Sequence, residues 1–293
     1  MRALHLNWIF FIFLSVNCFS QNKAQLFEPE TISKNDVFGL TISPNGEEAF
    51  WVHSNGGRDT LTIMQSKKIK GQWQQPEVAS FSANRNWKNI DPMFSPDGKT
   101  LYFQSNRPVE GKPARKGFDI YAVKKTKNNW SEAYRLDDTL NTDASESFVS
   151  LTKNGSVYFT KENPDGKGKT DIYRSKFENG QFQAHENIGL PINTSDREAN
   201  PYIDKNGKYI IYFSSKAEGN FGDVDLYISF NKNGTWSTPK NLGPEINTIE
   251  GEFCPFYHEK EKKLYFSRTK VLPNGRRVEK IYSIPFDAEQ YKV

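Results

Sequence analysis

Three copies of one short pattern carry residue types from which a site could be built. Asn141-Thr142 precedes Glu146, Asn193-Thr194 precedes Glu198 and Asn247-Thr248 precedes Glu252, each glutamate five residues after its asparagine. Carboxylates recurring at one spacing can form an acidic ring that takes a cation, an amine or a sugar hydroxyl. An acid working with a base or a nucleophile can also cleave a glycosidic bond. The same side chains can instead accept hydrogen bonds from the preceding loop and fix how one unit meets the next. Repetition favours that structural role, because a residue needed in every unit belongs to the unit's architecture. Neighbouring carboxylates would raise one another's pKa unless a cation or the asparagines relieved them. Asn89 and Val37 occupy the equivalent place in two further copies. The candidate ligand-binding residues are therefore Asn89, Asp91, Glu146, Glu198, Glu252 and Trp87, an aromatic outside the repeated positions and flanked by Arg85 and Lys88. If the protein is an enzyme, Glu146, Glu198 and Glu252 are its catalytic candidates.

Other chemistry finds little support. His53, His185 and His258 lack a serine elbow or metal-ligand spacing, and His5 falls in an apolar leader. Asp119, Asp171 and Asp225 come one per unit, whereas an oxygen-only cation site needs several ligands converging on a point. Cys254 reads as an inert, small apolar residue. No cofactor and no metal are expected.

The elements that must position these residues repeat as well. An apolar-aromatic strand recurs at Ala49, Leu101, Val157, Ile211 and Leu264, at spacings of 52, 56, 54 and 53 residues. Periods near 50 indicate blades or stacked units. Turns with glycine near their end precede the first four copies: Ser43–Gly46, Ser95–Gly98, Thr152–Gly155 and Asp204–Gly207. Such Asn-Gly and Asp-Gly turns join antiparallel pairs. The fifth copy has Glu259-Lys-Glu-Lys262 without glycine, so another turn type is expected there. A third strand follows at Phe118, Thr170, Val224 and Glu279, with a weaker copy from Leu61 to Met64. A fourth is read as beginning at Trp73, Trp130, Phe182 and Trp236.

Four strands in each of five units predict an all-β, five-bladed β-propeller of antiparallel blades, spanning approximately 36–80, 89–136, 146–188, 198–242 and 251–293. The last unit lacks a fourth strand of its own. Residues 25–32, which resemble the fourth-strand segment 72–79, are expected to complete it and close the ring, leaving no open edge. The segment Asn89-Ile-Asp-Pro-Met-Phe-Ser-Pro-Asp-Gly-Lys-Thr-Leu-Tyr-Phe-Gln-Ser-Asn-Arg107 with Gly117-Phe-Asp-Ile-Tyr121 resembles the WD-repeat-like propeller repeat of the TolB type. That resemblance implies a β-propeller, often in envelope proteins of Gram-negative bacteria and sometimes fused to a peptidoglycan-binding domain of the OmpA type. It says little about ligand.

Residues 1–20, with Arg2 ahead of an apolar run too short to span a membrane, read as a secretion signal, leaving 21–293 as one propeller domain. Without the leader the formal charge falls from +4 to +3, which makes no case for nucleic acid. The expected place is the periplasm or the medium, with lipid anchoring through Cys18 the lesser alternative. A mature chain carrying Cys254 alone has no internal disulfide and must be held by its core. The expected function is a monomeric, non-catalytic binding or scaffolding module for an envelope protein or glycan, with no transmembrane span. The alternative is a glycosidase-like, carbohydrate-active enzyme using the glutamates at the channel mouth.

Overall fold

A computed structural model describes residues 23–34, 36–55, 57–112, 117–127, 129–162, 169–216 and 218–292. The leader read at 1–20, with Cys18, lies outside these residues. The chain forms five antiparallel sheets arranged as the blades of a β-propeller. Their inner strands are Val37–Ile42, Asn89–Phe94, Glu146–Leu151, Glu198–Ile203 and Gly251–His258. Inner strands of successive blades touch, and the fifth also touches the first, so the ring is closed.

The second strand of blade four, Tyr209–Ser214, is buried at every position, and those of the other blades are largely buried, because blades cover both faces. That is why they read as continuous apolar-aromatic runs rather than alternating ones. Core packing lies between blades. Phe50 of blade one meets Phe94 of blade two at 5.6 Å and Trp130 at 5.7 Å between ring centroids. Full burial of one such ring contributes about 2–3 kcal/mol.

Both chain ends share the last blade: Gln25 and Leu26 pair with Ser283 and Tyr282 of the strand Arg277–Pro285. Phe27 then packs edge-on against Tyr265 at 5.0 Å, and Ile32 is buried.

Two local expectations are corrected. The glycine-free turn is of the same kind as the others: Lys262 donates its N–H to the Glu259 carbonyl, as Gly46 does to Ser43, and Lys262 adopts φ +51°. A lysine therefore accepts the left-handed conformation that glycine takes elsewhere. The fourth-strand aromatics, for their part, sit in short reversals of the third strand. Trp73 pairs with Lys68 and Trp236 with Asn231, while the strands that complete blades one and four come later, at Glu77–Val78 and Lys240–Asn241. Trp130 and Phe182 likewise pair back on Lys125 and Phe177, ahead of Tyr134–Arg135 and Glu186–Asn187.

All five inner strands carry a β-bulge at the same place, where Gly39, Asp91, Phe148, Asn200 and Cys254 have φ between +49° and +64°. Four of them are not glycine, a conformation costing about 1–2 kcal/mol for an L residue. Pro92, Pro201 and Pro255 follow three of them, where the bulge has already removed the N–H from the ladder.

Candidate functional site

The repeated Asn-Thr pattern is a staple between blades. Asn141 accepts from the N–H of Ile120 and donates to its carbonyl, at 2.6 and 3.1 Å, pairing with the preceding blade's third strand as a short strand would. Asn193 does the same at Ile172 and Asn247 at Leu226. The next residue, a threonine, clasps the glutamate that opens the following blade. Thr194 donates N–H and hydroxyl to Glu198, both at 2.9 Å, and Ser214 adds a third bond at 2.9 Å. Thr248 binds Glu252 in the same way, with Arg268 Nε at 2.6 Å, and Thr142 binds Glu146.

Glu146, Glu198 and Glu252 are fully buried by this arrangement and do not form the expected ring around the channel mouth. Their successors Ser147 and Phe253, with Ala199, line the mouth instead. Burial pushes the pKa of Glu198 and Glu252 up, against the opposing hydrogen bonds from threonine.

The other candidates divide similarly. Asn89 is buried and accepts from Arg107 at 2.9 Å; Trp87 is half-buried over the same guanidinium, 5.1 Å from it. Both brace the entry to blade two. Asp119 and Asp171 bind Arg135 and Asn187 on or beside their fourth strands, and Asp225 binds the N–H groups of Phe221 and Gly222 together with Asn241. Among the described residues no group of three or more His, Cys, Asp or Glu side chains could hold a metal.

Asp91 is the candidate that reaches an open site. The bulge carries it to the axis, where the Cys254 thiol lies 3.7 Å from Oδ1 and 3.6 Å from Asn200 Oδ1. This trio floors a recess of about 280 Å³ that opens into a mouth of about 800 Å³ at the N-terminal ends of the inner strands. The mouth is also lined by Arg58, Arg197, Asp223, Glu250, Arg277 and Glu279, none of which the sequence alone had brought together in a site. Four blades contribute carboxylates from different positions, Asp91, Glu162, Asp223, Glu250 and Glu279, so their surroundings are unlike. The signal available in the sequence was the column two residues after each stapled position, which reads Gly, Asp, Phe, Asn, Cys where its neighbours repeat.

Burial raises the Asp91 carboxyl from 3.8 to about 7, with Glu279 adding to the rise and Arg58 and the Cys254 thiol opposing it. Glu279 is 5% exposed and ion-paired with Arg58, whose guanidinium lies 4.6 Å over the Phe38 ring. The Cys254 thiol is pushed well up by burial and by Asp91, which keeps it protonated and inert. A carboxyl whose proton is held by burial therefore shares the mouth with a carboxylate ion-paired to an arginine, the difference in environment that separates acid from base.

No family model matches the sequence, and no curated protein matches it. Solved structures do. An endo-arabinase from Bacteroides thetaiotaomicron VPI-5482 matches with a TM-score of 0.55 and 15% identity over 90% of this chain and 99% of that one. A GH43 endo-arabinanase from Bacillus licheniformis matches at 0.52 and 15%, over 88% and 97%. An alpha-L-arabinofuranosidase from Lactobacillus brevis matches at 0.52 and 11%, over 88% and 93%. The chain spans 55% of the length of a Bacteroides ovatus xyloglucan-locus GH43B and 33% of a mycobacterium tuberculosis puromycin-hydrolyzing peptidase. At such identities the likeness is one of fold, the five-bladed propeller, and the TolB-type repeat is not among these matches. The expectation of a non-catalytic binding or scaffolding module is corrected here. The chains that superpose on nearly the whole ring are described as carbohydrate-active enzymes, and unlike carboxylates meet in one mouth.

Proposed function

We propose that the protein is a carbohydrate-active enzyme, a glycoside hydrolase working at the mouth floored by Asp91. The observation that carries this reading is a buried carboxyl raised to about 7 on the floor of a cavity that also holds an ion-paired carboxylate. Asp91 acts as the general acid: near neutral pH it retains a proton to give to the oxygen of the departing sugar. Glu279 supplies the negative charge opposite it, as base or nucleophile, and Arg58 orients it. Phe118 and Phe253 present apolar faces against which sugar rings can lie. Glu146, Glu198 and Glu252 brace the blades in this reading and take no part in bond cleavage.

The compartment belongs to the same proposal. With residues 1–20 as an export signal, and the TolB-like repeat pointing to an envelope, the enzyme would meet its polymer in the periplasm or the medium, or at a membrane through Cys18. No helix among the described residues is long and apolar enough to cross a membrane.

The test is release of reducing ends from a panel of polysaccharides and aryl glycosides by the wild-type protein, Asp91→Asn and Glu279→Gln. Turnover by the wild type that drops by roughly 10²–10⁴ in Asp91→Asn is expected. Turnover that survives in both variants would place the chemistry elsewhere.

A further inference from the structure

Four cationic side chains, Arg58, Arg197, Lys270 and Arg277, enter the mouth, and they are not equally engaged. Arg58 is paired with Glu279, and Lys270 lies 3.6 Å from Glu250. Arg197 has no ion pair among the described residues. Its guanidinium lies 5.0 Å over the Phe213 ring, and its Nε–H is buried without a hydrogen-bond partner. Arg277, exposed at the start of the third strand of blade five, also has no ion pair among the described residues. Burial most disfavours the charged state of Arg197; Asp223 favours it and is the next largest influence, while the like charges of Arg277 and Arg58 add smaller opposition.

This arrangement is costly for a protein alone. A buried N–H is one that water cannot serve, and guanidiniums converging on one space repel. Asp223 and Glu162 also line the mouth, but both are exposed and neither comes within 4 Å of Arg197 or Arg277. An anion arriving in the mouth would relieve the repulsion by pairing with the accessible part of the half-buried Arg197 guanidinium and with Arg277, while the buried Nε–H stays out of its reach. A guanidinium held flat on a ring offers its edge in the geometry that carboxylate and sulfate oxygens accept pairwise.

We infer that the glycan taken by this mouth is anionic, carrying a uronate carboxylate or a sulfate ester that Arg197 receives with Arg277 beside it. The inference deepens the hydrolase reading and rests on it for the sugar part of the ligand. The anionic part stands on the arginines.

The experiment is calorimetric titration of the full chain as Asp91→Asn, so that bound sugar is not consumed. Its probes are oligogalacturonate against its carboxyl-reduced form, and κ-carrageenan oligosaccharides against their desulfated form. At least one charged probe is expected to bind tenfold or more tightly than its neutral twin, and which pair does so identifies the anion. Arg197→Gln should remove that preference while leaving the neutral twin's affinity unchanged. Arg277→Gln, at an exposed position, should reduce it several-fold. The preference should also shrink between 50 and 500 mM salt. Equal binding of both twins in both pairs, or a preference that survives both arginine variants, would overturn the inference. The two readings fail separately. A charge preference with no turnover by the wild type sinks the hydrolase alone, and turnover of neutral glycans without that preference sinks the anionic substrate alone.

Discussion

Replacing Asp91 by asparagine should cut turnover by roughly 10²–10⁴ and yet make the protein more stable, by an amount that grows with pH. Below about pH 4 the carboxyl is neutral in folded and unfolded chains alike, so the substitution changes little. Between its ordinary value of 3.8 and its buried value of about 7, the unfolded chain ionises while the folded chain keeps its proton. Folding must then take up a proton, and wild-type stability falls as pH rises through this window. Each pH unit is worth about 1.4 kcal/mol, so the loss is on the order of 4 kcal/mol by pH 8. Asparagine has no proton to take up and escapes this loss. Urea unfolding followed by tryptophan fluorescence at pH 4.5 and pH 8.5 reads the difference directly. The stability gap between variant and wild type should widen by several kcal/mol, with a gain of roughly 10 °C in Tm at the higher pH. A gap that is the same at both pH values, or a variant less stable at pH 8.5, would refute the assignment of a buried, proton-retaining acid at the axis.

Glu198→Gln should behave in the opposite way, keeping turnover within about threefold while lowering stability by about 1–3 kcal/mol, because an amide nitrogen then faces donors at Thr194 or Ser214. Parallel activity and denaturation measurements check it, and loss of turnover in a folded Glu198→Gln would return the chemistry to the stapled glutamates. Deleting residues 21–32 should lower Tm by on the order of 10 °C in a single cooperative transition, since the closing strand, Phe27 and Ile32 leave together; unchanged calorimetric unfolding would contradict closure by both ends. Lys262→Gly should stabilise by about 0.5–1 kcal/mol, as removal of the left-handed penalty outweighs the added chain entropy. A chevron analysis or urea midpoint measures that change.

The frame of the molecule was legible because it is made of what repeats. Turn glycines and aromatic strands are each fixed by local physics that every blade must satisfy, whereas the echo of residues 72–79 in 25–32 points to the closing strand in a shifted register, with Gln25 and Leu26 in the place of Glu77 and Val78. The stapling glutamates were legible as a pattern for the same reason, read both as a brace between blades and as a candidate acidic ring. What escaped was the orientation of their side chains. Standing at the entry to an inner strand places Glu146 near an opening, but that placement cannot foresee that Thr142, four residues back, folds the carboxylate under the loop. The bulges were hidden too, since the usual sign of a left-handed residue is glycine and only Gly39 carries it. Arg58, Arg197 and Glu279 lie on separate loops and strands with no common spacing, and only the closed ring brings them to one mouth.

A ring of equal blades has an axis where five equivalent positions converge, and this is where a symmetric frame can hold an asymmetric site. The bulge turns one residue per blade toward that axis, and the backbone cost is similar whichever non-glycine residue stands there. Side chains at the five places are therefore free to differ without disturbing the sheets. Gly39 leaves room: a Cβ there would come within 3.2 Å of Asp91 Oδ1. Phe148 fills space and Cys254 offers a thiol that does not ionise. Asn200 and Asp91 remain as the polar groups of the floor, and Asp91 is the one whose proton can move near neutral pH. Gly39→Ala tests this division of labour. The added methyl meets the carboxyl and a φ of +64° that alanine resists, so turnover should fall with stability. A Gly39→Ala variant with unaltered activity and unfolding would mean that the space beside Asp91 is not part of the site.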